Sequence, residues 1–403
     1  MTAGLLLYDD ARARELEPFS ATRPTCELRA GALLLRERWE RATGAGVLGF
    51  ATAAHLAEFD EPNAAHSVAG KIPKGTIVAN ARCAVALSRK KSPAGDVWSC
   101  DGRVAAVRLT TDIDAAELAS GTLDLVRLAK SGARPVKIGG RWIDRVWDFI
   151  VHLSPTLSED ITVLSARAKR LRIAGKMIHG KHGVFVEKDA HIEPQVYFDT
   201  TAGPVLIRRG ASVQAFTRVI GPCVIGEEST VGIDKIAGSS IGDHCKVHGE
   251  MNSTILLGHS NKGHDGFLGH SYLGRWVNLG AGTITSNLKN TYGTVQLWTP
   301  SGTQETGAQF LGTLFGDHAK TGIGMRLTTG TVIGAGANIY GSAMPPKFVP
   351  PFAWGEHPSY STYRMEKFIE VARRVMARRH VTLSERATRQ LGATHERWAG
   401  KSR

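Results

Sequence analysis

Two short runs hold the residues whose types and spacing could do chemistry. His264-Asp265-Gly266-Phe267-Leu268-Gly269 is followed by Asn278-Leu279-Gly280-Ala281-Gly282-Thr283-Ile284-Thr285-Ser286-Asn287. A neutral imidazole accepts a proton near pH 7, so His264 is a candidate general base. The plainer reading of a lone histidine is structural. Gly280-Ala281-Gly282 is a stretch of small residues where a ligand can approach the backbone, and it is equally a tight corner. Asn287 can hold a ligand or fill the left-handed position of a turn.

The elements around these runs follow a six-residue rule. Val186, Ile192 and Phe198 are six apart, as are Ile207, Val213, Val219, Ile225 and Val231. Ile241 and Val247 continue the rule, and so do Leu327, Ile333 and Ile339. This period is neither helical nor a simple strand alternation. Three hexapeptides make one triangular coil, with the aliphatic residue inside and small residues at corners such as Ile225-Gly226 and Ile333-Gly334. A single coil cannot bury its own apolar face, so the coils must stack. The pattern predicts a left-handed parallel β-helix over 184–342, and both chemical runs lie within it. The repeat breaks between Leu288 and Gln309, where turn residues signal a loop leaving the solenoid.

Residues 1–150 read as a small α/β domain. Leu5-Leu6-Leu7-Tyr8, Ile77-Val78-Ala79 and Val104 to Leu109 read as strands. Ala32 to Arg41, Asp112 to Leu118 and Thr122 to Ala129 read as helices. A linker helix follows over 151–183, opened by Ser154-Pro155 and made basic by Arg167, Lys169, Arg170 and Arg172. After the solenoid, 343–403 holds a proline-rich connector and basic C-terminal helices. Met365, Phe368, Ile369, Ala372, Val375 and Met376 have helical spacing, and Thr382 with Glu385 forms a capping-box signature.

Composition sets the frame. The chain has 403 residues, 45 of them glycine, which suits a turn-dense repeat. No apolar run is long enough for a membrane span, and Met1 to Tyr8 lacks the form of a secretory signal. Five widely spaced cysteines without a CxxC argue against a disulfide framework or structural zinc and fit a cytoplasmic protein. The net charge of +13 is uneven. Residues 361–403 carry eleven Lys and Arg against four Asp and Glu. Such a tail could bind nucleic acid. The plainer reading, preferred here, is a solvated helix face or a dock for acidic neighbours and phosphate-bearing ligands.

At this point the motifs resemble a known family. The runs around His264 and Asn287 are similar to the acetyltransferase half of the bifunctional GlmU family. That family joins a glucosamine-1-phosphate N-acetyltransferase to an N-acetylglucosamine-1-phosphate uridyltransferase. Leu7-Tyr8-Asp9-Asp10, Pro18-Phe19-Ser20-Ala21-Thr22-Arg23-Pro24 and Glu27-Leu28-Arg29-Ala30-Gly31 resemble the opening of a divergent GlmU-like branch. Val146-Trp147-Asp148, Lys347-Phe348-Val349-Pro350 and Phe352-Ala353-Trp354-Gly355 resemble it further along.

The resemblance implies a sugar-nucleotide synthesis enzyme using acetyl-CoA, with a UDP-N-acetylglucosamine-type product and a homotrimeric assembly. His264 matches the catalytic His, and Asn287 matches the sugar-contacting Asn. Ala281 and Gly282 match the corner lining the acetyl-CoA slot, and Thr313 falls where the family has a Ser near the thioester. The family usually has Tyr after the matched Asn; this chain has Leu288, with Tyr292 nearby. Asn252 stands where a phosphate-binding Lys is common, and Lys262 is the alternative. The first strand lacks the glycine-rich loop of ordinary nucleotidyltransferases. Arg12, Arg14, Arg23 or Lys71 could hold phosphate instead, and Asp9 or Asp10 could carry Mg²⁺. The same residues could equally be surface charges. Two alternatives stand beside this reading. One is a metal enzyme like the γ-class carbonic anhydrases, suggested by the H-x4-H spacing of His259 and His264 with His244 and His248 near. The other is a non-catalytic scaffold using the basic tail.

Overall fold

The computed structural model describes residues 4–88, 95–171 and 177–399. Arg172 of the expected basic linker lies outside the described residues. The N-terminal part is built on a six-stranded sheet: β1 (Leu5–Tyr8), β2 (Val47–Ala51), β3 (Ile77–Asn80), β4 (Val97–Cys100), β5 (Arg103–Arg108) and β6 (Val136–Lys137). Its order is β6-β4-β5-β3-β1-β2. The apolar β1 is an interior strand: both of its neighbours pair with it in parallel and its residues are buried. Helix α1 (Leu35–Thr43) packs Trp39 onto this core, turns Leu35 to the seam with the solenoid and ends at Gly44, whose φ of +65° suits glycine.

Two expected helices are single turns instead. Ile113–Asp114 is a short strand, followed by a 3₁₀ turn, Ala115–Leu118, that Asp114 caps through the Ala116 N–H. Leu125–Leu128 is likewise a 3₁₀ turn capped by Asp124. An aspartate before every four or so residues starts turns without supplying the length that an α-helix needs.

The solenoid is a left-handed parallel β-helix with three faces. The first face holds ten strands from Lys169–Arg170 to Phe348–Val349, the third holds ten from His191–Ile192 to Ser361–Thr362, and the second holds six from Ile178–His179 to Phe267–Gly269. The six-residue columns fill the prism: Ile207, Val213, Val219, Ile225 and Val231 are fully buried and in mutual contact in one core. Two internal hydroxyl ladders hold corners. Ser239, Thr254 and Ser271 each accept the backbone N–H of the ladder residue one coil on, ending at Thr313. Ser229 and Ser260 do the same for Cys245 and Val277. The break after Leu288 is a hairpin, Gln296–Thr299 with Gly302–Glu305.

The N-terminal part sits on the first face. Tyr272 projects from that face, and its hydroxyl accepts the Arg29 N–H at 2.8 Å. Phe19 and Phe149 pack against the Tyr272 ring with centroids 4.4 and 5.4 Å away. The linker helices α2 (Asp148–Val151) and α3 (Leu153–Leu164) seal the same seam through Phe149, Leu153, Leu157 and Ile161. Asp160 pairs with buried Arg38 and accepts the Ala32 N–H.

The C-terminal helices α4 (Met365–Ala377) and α5 (Glu385–Ala399) strap both parts together. Thr394 donates to the Ala21 carbonyl, and Arg389 meets Glu58. The cap of α5 is Ser384 rather than Thr382: its hydroxyl accepts the Ala387 N–H and donates to Asp60 at 2.6 Å. The second contact decides the choice, because it fixes the helix start against the N-terminal part. No helix among the described residues is long and apolar enough to cross a membrane.

Candidate active site

His264 is exposed on the corner that joins the strand Asn261–Lys262 of the third face to Phe267–Gly269 of the second. It borders two clefts of about 610 Å³ each. One runs along that corner past Ala281, Gly282, Ile323 and Gly324. The other is a groove on the third face, roofed by the end of α4 and the chain just after it. The small corner is locked by its own backbone: the Gly282 N–H donates to the Asp265 carbonyl at 3.0 Å, and the Gly324 N–H to that of Ala281 at 2.7 Å. His248, one coil earlier, lines both clefts and lies 3.3 Å from the Asp265 carboxylate through Nδ1. The structure therefore gathers His264, Ala281 and Gly282 around one channel.

The other expected residues are placed elsewhere. Lys262 occupies an aliphatic column position, in register with Val247. It is 2 % exposed, and its ammonium donates to the carbonyls of His248 and His264. Its charge is turned into the wall of the prism, so it does not reach a substrate phosphate. Asn287 lies at the opposite corner of the second face, where its amide nitrogen is 2.8 Å from Nδ1 of His270. His270 stacks on Phe310, and burial holds its imidazole below the usual range. Tyr292 is exposed in the turn that follows. Thr313 is fully buried in the hydroxyl ladder, and its own hydroxyl has no protein partner.

The expected nucleotide-binding residues divide as well. Asp9 is buried and accepts from the Thr52 hydroxyl and the Thr25 N–H; burial pushes its carboxyl up to about 6 against those two bonds. Asp10 is held by both nitrogens of one Arg82 edge, at 2.7 and 2.6 Å, and by Asn80 and the Ala13 N–H. With every carboxylate oxygen of Asp10 and the inner oxygen of Asp9 taken by protein donors, this pair does not fit a Mg²⁺ ion, which asks for open carboxylates in octahedral geometry.

Arg23 is 1 % exposed and cannot meet a nucleotide. Its guanidinium bridges Glu61 and Asp317, and Arg275 joins through Glu61 at 2.7 Å. Burial favours a neutral Glu61, but Arg23 and Arg275 hold it well below the usual carboxylate range. Arg23 is thus part of the seam between the N-terminal part and the solenoid. Arg12 and Lys71 are exposed, the first 3.9 Å from Asp144 and the second 2.7 Å from Asp112.

Among the described residues no three His, Cys, Asp or Glu side chains converge as metal ligands. His259, which the H-x4-H spacing singled out, stacks between His244 and Trp276 with centroids 4.7 and 4.3 Å away. Burial, with Arg275 and His244 adding to it, pushes its imidazole down to about 3. Part of the tail is committed within the chain: Arg386 and Arg389 face Glu58, Arg374 pairs with Glu370, and Arg397 lies 3.7 Å from Glu17.

Sequence reasoning named His248 only as a histidine near a metal-type spacing and missed Lys246, Lys320, Arg378 and Arg379, all of which line the groove beside His264. Lys246 and Lys320 are outward neighbours of column residues Val247 and Thr321, so their place beside His264 follows from the coil count alone.

Known proteins resemble parts of this chain. Residues 5–169 match the family model for sugar nucleotidyl transferases. The bifunctional protein GlmU of Acaryochloris marina is 30% identical over 166 residues, covering 39% of this chain and 33% of that one. A bifunctional sugar-1-phosphate nucleotidylyltransferase/acetyltransferase of Sulfurisphaera tokodaii is 32% identical over 95 residues, 24% of each chain. The chain thus spans a third or less of the length of these two relatives. A hexapeptide transferase family protein of Anaplasma phagocytophilum shares 14% identity, covering 53% of this chain and 95% of that one, with a TM-score of 0.28. The chain is thus similar over residues 5–169 to sugar nucleotidyl transferases and, over part of its length, to bifunctional GlmU proteins, with the N-terminal part seated on one face of a six-residue-repeat β-helix.

Proposed function

We propose that the β-helix N-acetylates an amino-sugar 1-phosphate of the glucosamine-1-phosphate type from acetyl-CoA, coupled to nucleotidyl transfer by the N-terminal domain to give a UDP-N-acetylglucosamine-type product. The observation that carries this reading is an exposed imidazole, His264, at the meeting of two clefts each large enough for a ligand of this size. His264 accepts the proton that leaves the amine as its nitrogen bonds to the acyl carbon. The C–S bond breaks, and the thiolate of the carrier leaves. Ala281 and Gly282 let the carrier's arm lie against the corner, because a methyl group and a hydrogen leave it room.

Within one chain Asn287 and Tyr292 lie at the far corner of the second face from His264. The reading therefore assigns the sugar contacts of Asn287 and Tyr292 to a site completed by a neighbouring copy in a trimer. The second face supports this. Arg218, Lys235 and Glu250 along it stay 38 to 51% exposed, while the first face is covered by the N-terminal part. The N-terminal chemistry draws its support from the family match; Arg12 and Lys71 remain the exposed candidates for phosphate there. The test is turnover of acetyl-CoA with glucosamine-1-phosphate by the wild type and by His264→Ala. Equal turnover by the two would reject the base.

A further inference from the structure

The groove on the third face holds four cations with no anionic partner. Lys246 and Lys320 belong to its floor strands, and Arg378 and Arg379 to the chain that follows α4. No carboxylate lines the groove, and among the described residues none of the four forms an ion pair. Several well-covered arginines elsewhere differ: Arg23, Arg38, Arg82 and Arg208 each meet a carboxylate. The Lys320 ammonium has only the His318 carbonyl, at 3.0 Å, and burial pushes it down to about 8. Like charges facing one another across a cleft with low-dielectric walls raise the local potential and draw in an anion. Beside them Asn261 donates to Asn278 at 2.8 Å, which lays neutral polar groups along the same floor.

We propose that this groove is a subsite for a nucleoside diphosphate ester, with Lys246, Lys320, Arg378 and Arg379 around the two phosphates. The inference deepens the acyl-transfer reading of the same site and rests on it for the role of His264. A volume of about 610 Å³ exceeds what one phosphate fills, and cations on both floor and roof suit two linked phosphates. Two sources share this chemistry: the diphosphate of coenzyme A and that of a sugar nucleotide.

Calorimetric titration of the full chain with coenzyme A, UDP, glucosamine-1-phosphate and inorganic phosphate tests it. At least one diphosphate should bind about tenfold or more tightly than inorganic phosphate. The double variant Arg378→Ala/Arg379→Ala should weaken it by about tenfold or more, as expected for lost charge-assisted bonds. Lys246→Ala, at an exposed position, should weaken it too and flatten its salt dependence. Tighter binding of coenzyme A assigns the subsite to the acyl donor; tighter binding of UDP assigns it to a sugar nucleotide. Unchanged affinity in both variants, or inorganic phosphate or glucosamine-1-phosphate binding as tightly as both diphosphates, overturns the proposal. Diphosphate binding that survives in His264→Ala, with no turnover of either substrate even in the wild type, would keep the subsite and reject the acyl-transfer reading.

Discussion

Nζ of Lys262 lies 2.8 Å from the backbone carbonyl oxygen of His264. A lysine thus stands in a column of aliphatic residues and fixes the turn that presents the candidate base. It also holds the His248 carbonyl at 2.7 Å, joining two successive coils. Gly249 leaves the room: with φ of +81°, a Cβ there would come within 2.8 Å of Nζ. Replacing this lysine by a hydrocarbon would fill the column but leave two inward carbonyls without their donor.

That arrangement has a pH signature. Burial pushes the Lys262 ammonium from 10.5 down to about 8, although Asp265 and Asp234 oppose the shift. Between these pH values the unfolded chain keeps a proton that the folded chain has shed. Stability from this group therefore rises with pH across that window. Lys262→Met removes the dependence. Urea unfolding at pH 7.5 and 10 should show the wild type gaining about 1–3 kcal/mol relative to the variant. Parallel behaviour of the two proteins would mean that the ammonium titrates as a solvated one.

Asp9 gives the opposite slope. Its carboxyl is raised from 3.8 to about 6 by burial. From pH 4 to 6 the folded state holds the extra proton, so its stability contribution falls as pH rises. Asp9→Asn should stabilise the protein at pH 7.5 by about 1–3 kcal/mol and change little at pH 3.5. Calorimetric melting at both values decides it, and a destabilised variant at pH 7.5 would show that the carboxylate charge is used.

Arg23→Met should cost about 3–5 kcal/mol, because it leaves the buried carboxylate of Asp317 without a cation and Glu61 with Arg275 alone. The loss should appear in denaturant unfolding. Partial restoration is expected from the further change Asp317→Asn, which removes one stranded charge. A loss below about 1 kcal/mol, typical of a surface pair, would return Arg23 to the candidates for phosphate binding.

His264→Ala should lower acetyl transfer by about 10²–10⁴-fold, the usual share of a positioned base. The loss should fall on kcat, since the side chain is exposed at the rim and its removal leaves the groove walls in place. A change confined to KM, measured by thiol release, would make His264 a binding residue instead.

The solenoid was legible because its rule is local and repeated. Every sixth residue faces inward, so Ile207, Val213 and Val219 announce the prism without knowledge of any partner. Three strands of the N-terminal sheet, β1, β3 and β5, were legible as apolar runs of a few residues, whereas β2, β4 and β6 were not read. The single turns at 115–118 and 125–128 were not, because an aspartate cap looks the same before one turn as before three.

The amino-acid sequence by itself determined the stacked coils, the corner that carries His264 and the small residues beside it, since each depends on spacing along the chain. Only the tertiary structure decided what the charged residues do. Arg23 meets Asp317 across 294 positions, and Lys262 turns inward because two carbonyls of adjacent coils converge there. Lys320 and Arg378 share a groove because α4 folds back over the third face. Electrostatic partners are chosen by distance in space, and no local period encodes that distance.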